Sequence, residues 1–297
     1  MNRRSFCQLT ALGAILDSSC AGQRPEVFKA VEEMAHENQL AIIAGGLSIF
    51  DPGGAACGRI RLPKDAFDVK ISPDGESVAW CRLAPSHPAS EGYAFWTDVT
   101  GQIKSIRFDG SPSAVAVSSK TRKIVVRLST NGRFQLIFID VASGAQSDLT
   151  PPDLGIDLRR LERMGISGQG DRLVISSGGT FIVIDASTRN VLLHRRGYTP
   201  SVSPDGMSVA FTEGHDLYLH NIATGSERKM TIGRRTESAG GWSPDGRFLL
   251  AGGRTQVSLF DYRLIAVDVA ADAFADLMRQ EGEMSSEHYW IRRQFCV

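Results

Sequence analysis

An all-β fold made of a repeated four-stranded unit is predicted by three observations. One turn recurs: Ser72-Pro73-Asp74-Gly75 returns as Ser203-Pro204-Asp205-Gly206 and as Ser243-Pro244-Asp245-Gly246, each followed by an apolar run. A second signature, a β-type apolar run ending in Asp or Asn and then small residues, ends at Asp51, Asp98, Asp140, Asp185, Asn221 and Asp268. The steps between these positions are 47, 42, 45, 36 and 47 residues, near the roughly 40–45 residues of a four-stranded propeller blade. The two signatures interleave, so the chain is expected to be a six-bladed β-propeller.

The chain opens differently. Residues 1–22 carry Arg3-Arg4, an apolar stretch from Phe6 to Leu16, and then Ser18, Ser19, Cys20, Ala21 and Gly22, which is the pattern of an export signal. Two types stay open. Arg3-Arg4-Ser5-Phe6 is similar to the core of a twin-arginine signal, although Cys7 and Gln8 follow where that motif has Leu and Lys. Cys20 after small residues is similar to a lipoprotein box and is the candidate lipidation site, although Leu16 lies four positions upstream rather than three. Residues 23–39 follow as a short helical segment, with Val27, Ala30, Val31 and Met34 at helical spacing behind Pro25.

Residues 40–297 form the propeller. In the tetrads, Pro pre-sets the backbone of the second turn position and Gly supplies the positive φ that closes a hairpin. Two eroded versions keep the register, Ser118 to Arg122 before the strand from Lys123, and Ser167 to Asp171 before the strand from Arg172. One blade reads directly from the sequence: Tyr198 to Val202 inside, Ser208 to Thr212, Asp216 to Ile222, and Glu227 to Thr231 outside. Val209, Ala210 and Phe211 are apolar in succession, as a strand covered on both faces requires. Glu227, Arg228 and Lys229 suit a water-facing edge.

There are six strand-Asp motifs and five turns. The absent turn belongs at the start, where Ala41 to Ala44, Leu47 to Phe50 and Gly58 to Leu62 supply three strands without an inner one. The segment from His288 to Phe295 is β-rich and has no partners of its own. It is expected to enter the first blade, pairing the two ends of the chain and removing both edges.

These residues resemble the repeat of the TolB-like propellers, the Pro-Asp (PD40, WD40-like) family, over essentially the whole length after the signal. The resemblance implies a propeller. Its members include envelope scaffolds and the propeller domains of peptidases, so it implies no single activity.

Composition narrows the function. Lys plus Arg and Asp plus Glu both total 33, and no basic run stands out, so nucleic acid is not an expected partner. No later segment approaches the roughly 20 apolar residues of a spanning helix, so a membrane is expected to be met only through an N-terminal lipid. No Gly-x-Ser-x-Gly elbow is present, the nearest string being Gly165-Ile166-Ser167-Gly168-Gln169. Cys57, Cys81 and Cys296 match no metal motif and read as small buried apolar residues, with a disulfide among them left open. His215 and His220 are expected on opposite faces, Asp74, Asp205 and Asp245 are expected to form turns, and Tyr198 and Trp242 are assigned to the core. No cofactor and no metal site is expected.

Binding on propellers is carried by rim loops. The longest irregular stretches run from Arg82 to Gly92, containing His87, and from Thr150 to Met164, containing Arg159, Arg160 and Arg163. His87 and the three arginines are the candidate binding residues, with an acidic protein as the partner. The expected function is a monomeric, non-catalytic protein-interaction or scaffold module in the periplasm or cell envelope. An enzyme or small-ligand site at the channel mouth, and a cytoplasmic location, are the alternatives.

Overall fold

Each tetrad builds its turn in the same way. In the second one the Ser208 amide donates to Ser203 Oγ (2.9 Å) and the Ser203 hydroxyl donates to Asp205 Oδ1 (2.5 Å). Gly206 closes the turn by donating to the Ser203 carbonyl (2.9 Å) at φ 74°. Ser72, Ser243 and their followers repeat the pattern, so the aspartates are turn formers as expected. The second signature is a turn as well. Asp140 Oδ1 accepts the amide (2.8 Å) and hydroxyl (2.8 Å) of Ser143, and Asp98, Asp185, Asn221 and Asp268 likewise accept amides two or three residues on.

The computed structural model describes residues 62–63, 65–83, 91–98, 100–118, 120–232, 235–254 and 262–277 with side chains, and the backbone of 38–43, 47–50, 56–60, 261, 278–281 and 287–292. The strands are β1 (Asn38–Ile43), β2 (Leu47–Phe50), β3 (Ala56–Ile60), β4 (Phe67–Ile71), β5 (Ser77–Leu83), β6 (Gly92–Asp98), β7 (Ile103–Phe108), β8 (Ser111–Ser118), β9 (Lys123–Thr130), β10 (Arg133–Asp140) and β11 (Gln146–Asp148). A 3-10 turn, η1 (Leu158–Arg160), precedes β12 (Leu161–Ile166), β13 (Arg172–Ser177), β14 (Thr180–Asp185) and β15 (Val191–Arg196). The last are β16 (Tyr198–Val202), β17 (Ser208–Glu213), β18 (Asp216–Asn221), β19 (Glu227–Lys229), β20 (Arg235–Trp242), β21 (Phe248–Arg254), β22 (Asp261–Asp268), β23 (Ala273–Glu281) and β24 (Glu287–Arg292).

Five antiparallel sheets of four strands follow in chain order, from β4-β5-β6-β7 to β20-β21-β22-β23. The backbone of β24 pairs with β1, Ala41 opposite Tyr289, in a sheet ordered β24-β1-β2-β3. β1 begins at Asn38, so Asn38 and Gln39 are strand where the sequence predicts the end of a helical segment. Cys20 and the rest of the signal and helical segments lie outside the described residues, as do His87 and Cys296.

The core lies between sheets. Leu173 and Ile175 of β13 pack towards Ala116, Val125 and Leu136 of the preceding sheet. Val174, between them, packs towards Val209 and Phe211 of the following one. Alternate residues thus serve opposite layers, which is why the middle strands are apolar at every position. Val209, Ala210 and Phe211 are all fully buried.

Candidate functional site

The inner strands β4, β8, β12, β16 and β20 surround a cavity that opens to solvent. Each contributes the residue two before its turn serine, and these are Lys70, Ala116, Gly165, Ser201 and Gly241. Four of the five are small and leave the axis open. Every one of these strands also carries a register shift, between Phe67/Lys70, Pro112/Ala114, Leu161/Arg163, Tyr198/Ser201 and Ala239/Trp242.

The shifted positions join neighbouring sheets. Asp68, at φ 48°, accepts the Val115 amide and pairs with Lys70 (3.3 Å). Thr199, also at φ 48°, accepts the Ala239 amide on Oγ1 (2.9 Å). Arg163 Nη1 donates to the Ala239 (2.7 Å) and Thr199 (3.3 Å) carbonyls. Cys81 is fully buried, and burial with Asp68 nearby pushes its thiol far up, so it is an inert apolar residue. The side chains of Cys57 and Cys296 lie outside the described residues.

The second region is a rim. Strands alternate in direction, so both turn signatures lie on one face and the connections between second and third strands, and between successive sheets, lie on the other. The connection before β12 ends in η1. Asp157 caps it, accepting the Arg159 amide (2.9 Å), and Ser177 Oγ donates to the Asp157 carbonyl (3.0 Å). Arg127 Nη1 donates to the Leu158 carbonyl (2.8 Å) while its Nε donates to Ser113 Oγ (2.7 Å). Its guanidinium sits 5.6 Å from the Phe134 ring centre. Burial draws the Arg127 pKa down, with Asp68 opposing. Leu158 is buried in the layer below. Arg159 and Arg160 are exposed on this fastened backbone.

Arg163 is a correction to the sequence prediction. It lies within β12, not in the loop, and lines the axial cavity instead of joining Arg159 and Arg160 at the rim. The shift at Leu161/Arg163 changes the face its side chain takes. Tyr198 is a second correction, 56% exposed where core was expected, whereas Trp242 is buried and donates to the Ser201 carbonyl (3.0 Å). His215 sits in a turn at φ 74° with Nε2 2.7 Å from Arg235 Nη2, and His220 is buried with Nδ1 3.4 Å from Glu227 Oε2. Among the described residues no group of three or more His, Cys, Asp or Glu is placed to hold a metal ion. Nothing in the sequence marks Lys70, Asp68 or Arg127 beyond their places in strands, and the sequence reads Tyr198 as core.

Several solved structures are similar in fold. TolB from Acinetobacter baumannii is similar at a TM-score of 0.60 and 19% identity, covering 86% of this chain and 67% of that one. The nidogen/laminin complex gives 0.56 at 11% identity, covering 85% and 98%. A putative TolB from Agrobacterium tumefaciens gives 0.52 at 12% identity, covering 86% and 98%. The fold is therefore a TolB-like β-propeller. No family model matches the chain, and no curated protein matches it.

Proposed function

We propose that this chain is a monomeric protein-interaction module of the cell envelope, non-catalytic, built on a six-bladed ring closed by its two ends. The observation that carries the reading is η1. The backbone under this exposed arginine pair is fixed from both neighbouring sheets, so binding orders only the side chains, and such preorganisation favours a protein interface. The pairing of β24 with β1, and the packing of β24 beside both β20 and β4, support the closed ring. Arg3-Arg4-Ser5-Phe6 and Cys20 support export, with lipid attachment at Cys20 as its anchored form. The structural likeness to TolB proteins supports an envelope role. Among the described residues no helix is long and apolar enough to cross a membrane.

The test is capture of proteins from envelope extracts by the wild type and by the R159S/R160S variant. Loss of defined bands in the variant is the expected outcome, and identical profiles would sink the reading. Intact mass of the protein recovered from envelope fractions reports signal cleavage and any lipid on Cys20. The second reading, a channel-mouth enzyme or small-ligand binder, draws on the axial cavity with Lys70 and Arg163 in its wall. A sugar or anion that raises the melting temperature of the wild type, with the rise abolished in Lys70→Met, would favour it instead.

A further inference from the structure

We propose that Arg133, Arg196 and Tyr198 extend the η1 platform into one docking surface for an acidic protein segment. The proposal deepens the reading above and rests on it. The surface is continuous through adjacent segments. η1 packs against β10, whose first residue is Arg133. Ser177 ties Asp157 to the next connection, where the Gly178 amide donates to Glu162 Oε1 (3.1 Å). Gly197 donates to the Gly179 carbonyl (3.0 Å), placing Arg196 and Tyr198 on either side of that turn. The Tyr198 ring lies on the turn itself: a Cβ on Gly179 would stand 2.8 Å from the phenol oxygen. All four arginines are exposed, as is Tyr198.

Charge selects the partner. Two other arginines on this face are neutralised, Arg82 by Asp65 at 2.6 Å and Arg107 by Glu91. Arg133, Arg159, Arg160 and Arg196 have no carboxylate within ion-pair distance among the described residues. Asp157 and Glu162 nearby each use a carboxylate oxygen on a backbone amide, and Asp153 is exposed in the same connection. Four guanidinium forks match the carboxylates of an Asp/Glu-rich segment. Tyr198 supplies the aromatic face that, with arginine, dominates interface energetics.

The test measures binding of a labelled poly-glutamate peptide to the full chain by anisotropy at several salt concentrations. R159S/R160S and R133S/R196S should each weaken binding about tenfold, the scale of a hot-spot contact. Y198A should weaken it several-fold while leaving the salt dependence unchanged. R122N/R189N, on the opposite face, should have no effect. Circular dichroism melts check that every variant is folded. Equal losses in R122N/R189N, or none in Y198A and R133S/R196S, would overturn the proposal. So would co-flotation with phosphatidylglycerol vesicles that poly-glutamate does not compete. If envelope capture depends on Arg159 and Arg160 yet the wild type ignores poly-glutamate, this inference fails and the interaction module stands. Capture indifferent to those two residues removes both.

Discussion

At the scale of the residue, the turn serine matters more than the aspartate that follows it. Ser203 is buried and its hydroxyl accepts the Ser208 amide, whereas Asp205 is exposed. Ser203→Ala leaves that amide without its partner and should cost about 1–3 kcal/mol. Asp205→Ala should cost less, and urea melts of the two variants check the order. Asp185 adds a pH dependence. Burial works against its ionisation, but the Ser187 hydroxyl, the Thr188 and Ser187 amides and Arg172 at 2.8 Å outweigh it, holding the carboxyl at about 2. An unfolded aspartate titrates near 3.9. The folded pKa is the lower, so the stabilisation is complete above about pH 4 and disappears as pH falls towards 2. Asp185→Asn keeps a turn acceptor but loses the charge. The wild type should exceed it by up to about 2 kcal/mol near neutrality, and the gap should close below pH 4.

At the scale of the element, the strands were legible because their signals are local. Serine five residues before a strand, and Asp or Asn at the end of one, make their bonds within a few residues, so the blade from Tyr198 to Lys229 could be delimited almost to the residue. The site was less legible because it depends on bulges. Side chains alternate along a strand, and one extra residue reverses their faces. Arg163 reaches the axis and Tyr198 the surface through shifts that no residue type in the sequence announces. Contacts between turns were equally hidden. The Gly168 amide donates to the Pro204 carbonyl (2.9 Å) of the next sheet, and a Cβ at Gly168 would stand 2.8 Å from that oxygen. Backbone lies on both sides, so Gly168→Ala should cost about 1–3 kcal/mol. Gly165→Ala, whose Cβ would meet only a Val174 methyl at 3.4 Å, should melt closer to the wild type.

At the scale of the molecule, the apolar layers among the described residues lie between sheets, so these sheets do not bury both faces alone and their stack is the unit of stability. An open ring would expose one face and one inner strand edge at each end. The closed-ring reading therefore makes the β1–β24 ladder the bond on which the remaining layers depend. Ala41 stands directly opposite Tyr289 in that ladder. Facing residues of antiparallel strands have Cα atoms about 4.5–5.5 Å apart, inside the range a disulfide spans. An A41C/Y289C variant should cross-link under mild oxidation. Because the link closes a loop of nearly the whole chain, it should stabilise by about 4 kcal/mol or more, lost on reduction. A41C/I291C, displaced by two residues on the same face, sits about 7–8 Å apart and should not close. Mass spectrometry of tryptic fragments distinguishes the new bond from one involving Cys57, Cys81 or Cys296. Equal cross-linking of both pairs would mean that the register slips, and cross-linking of neither would mean that the two ends do not share a sheet.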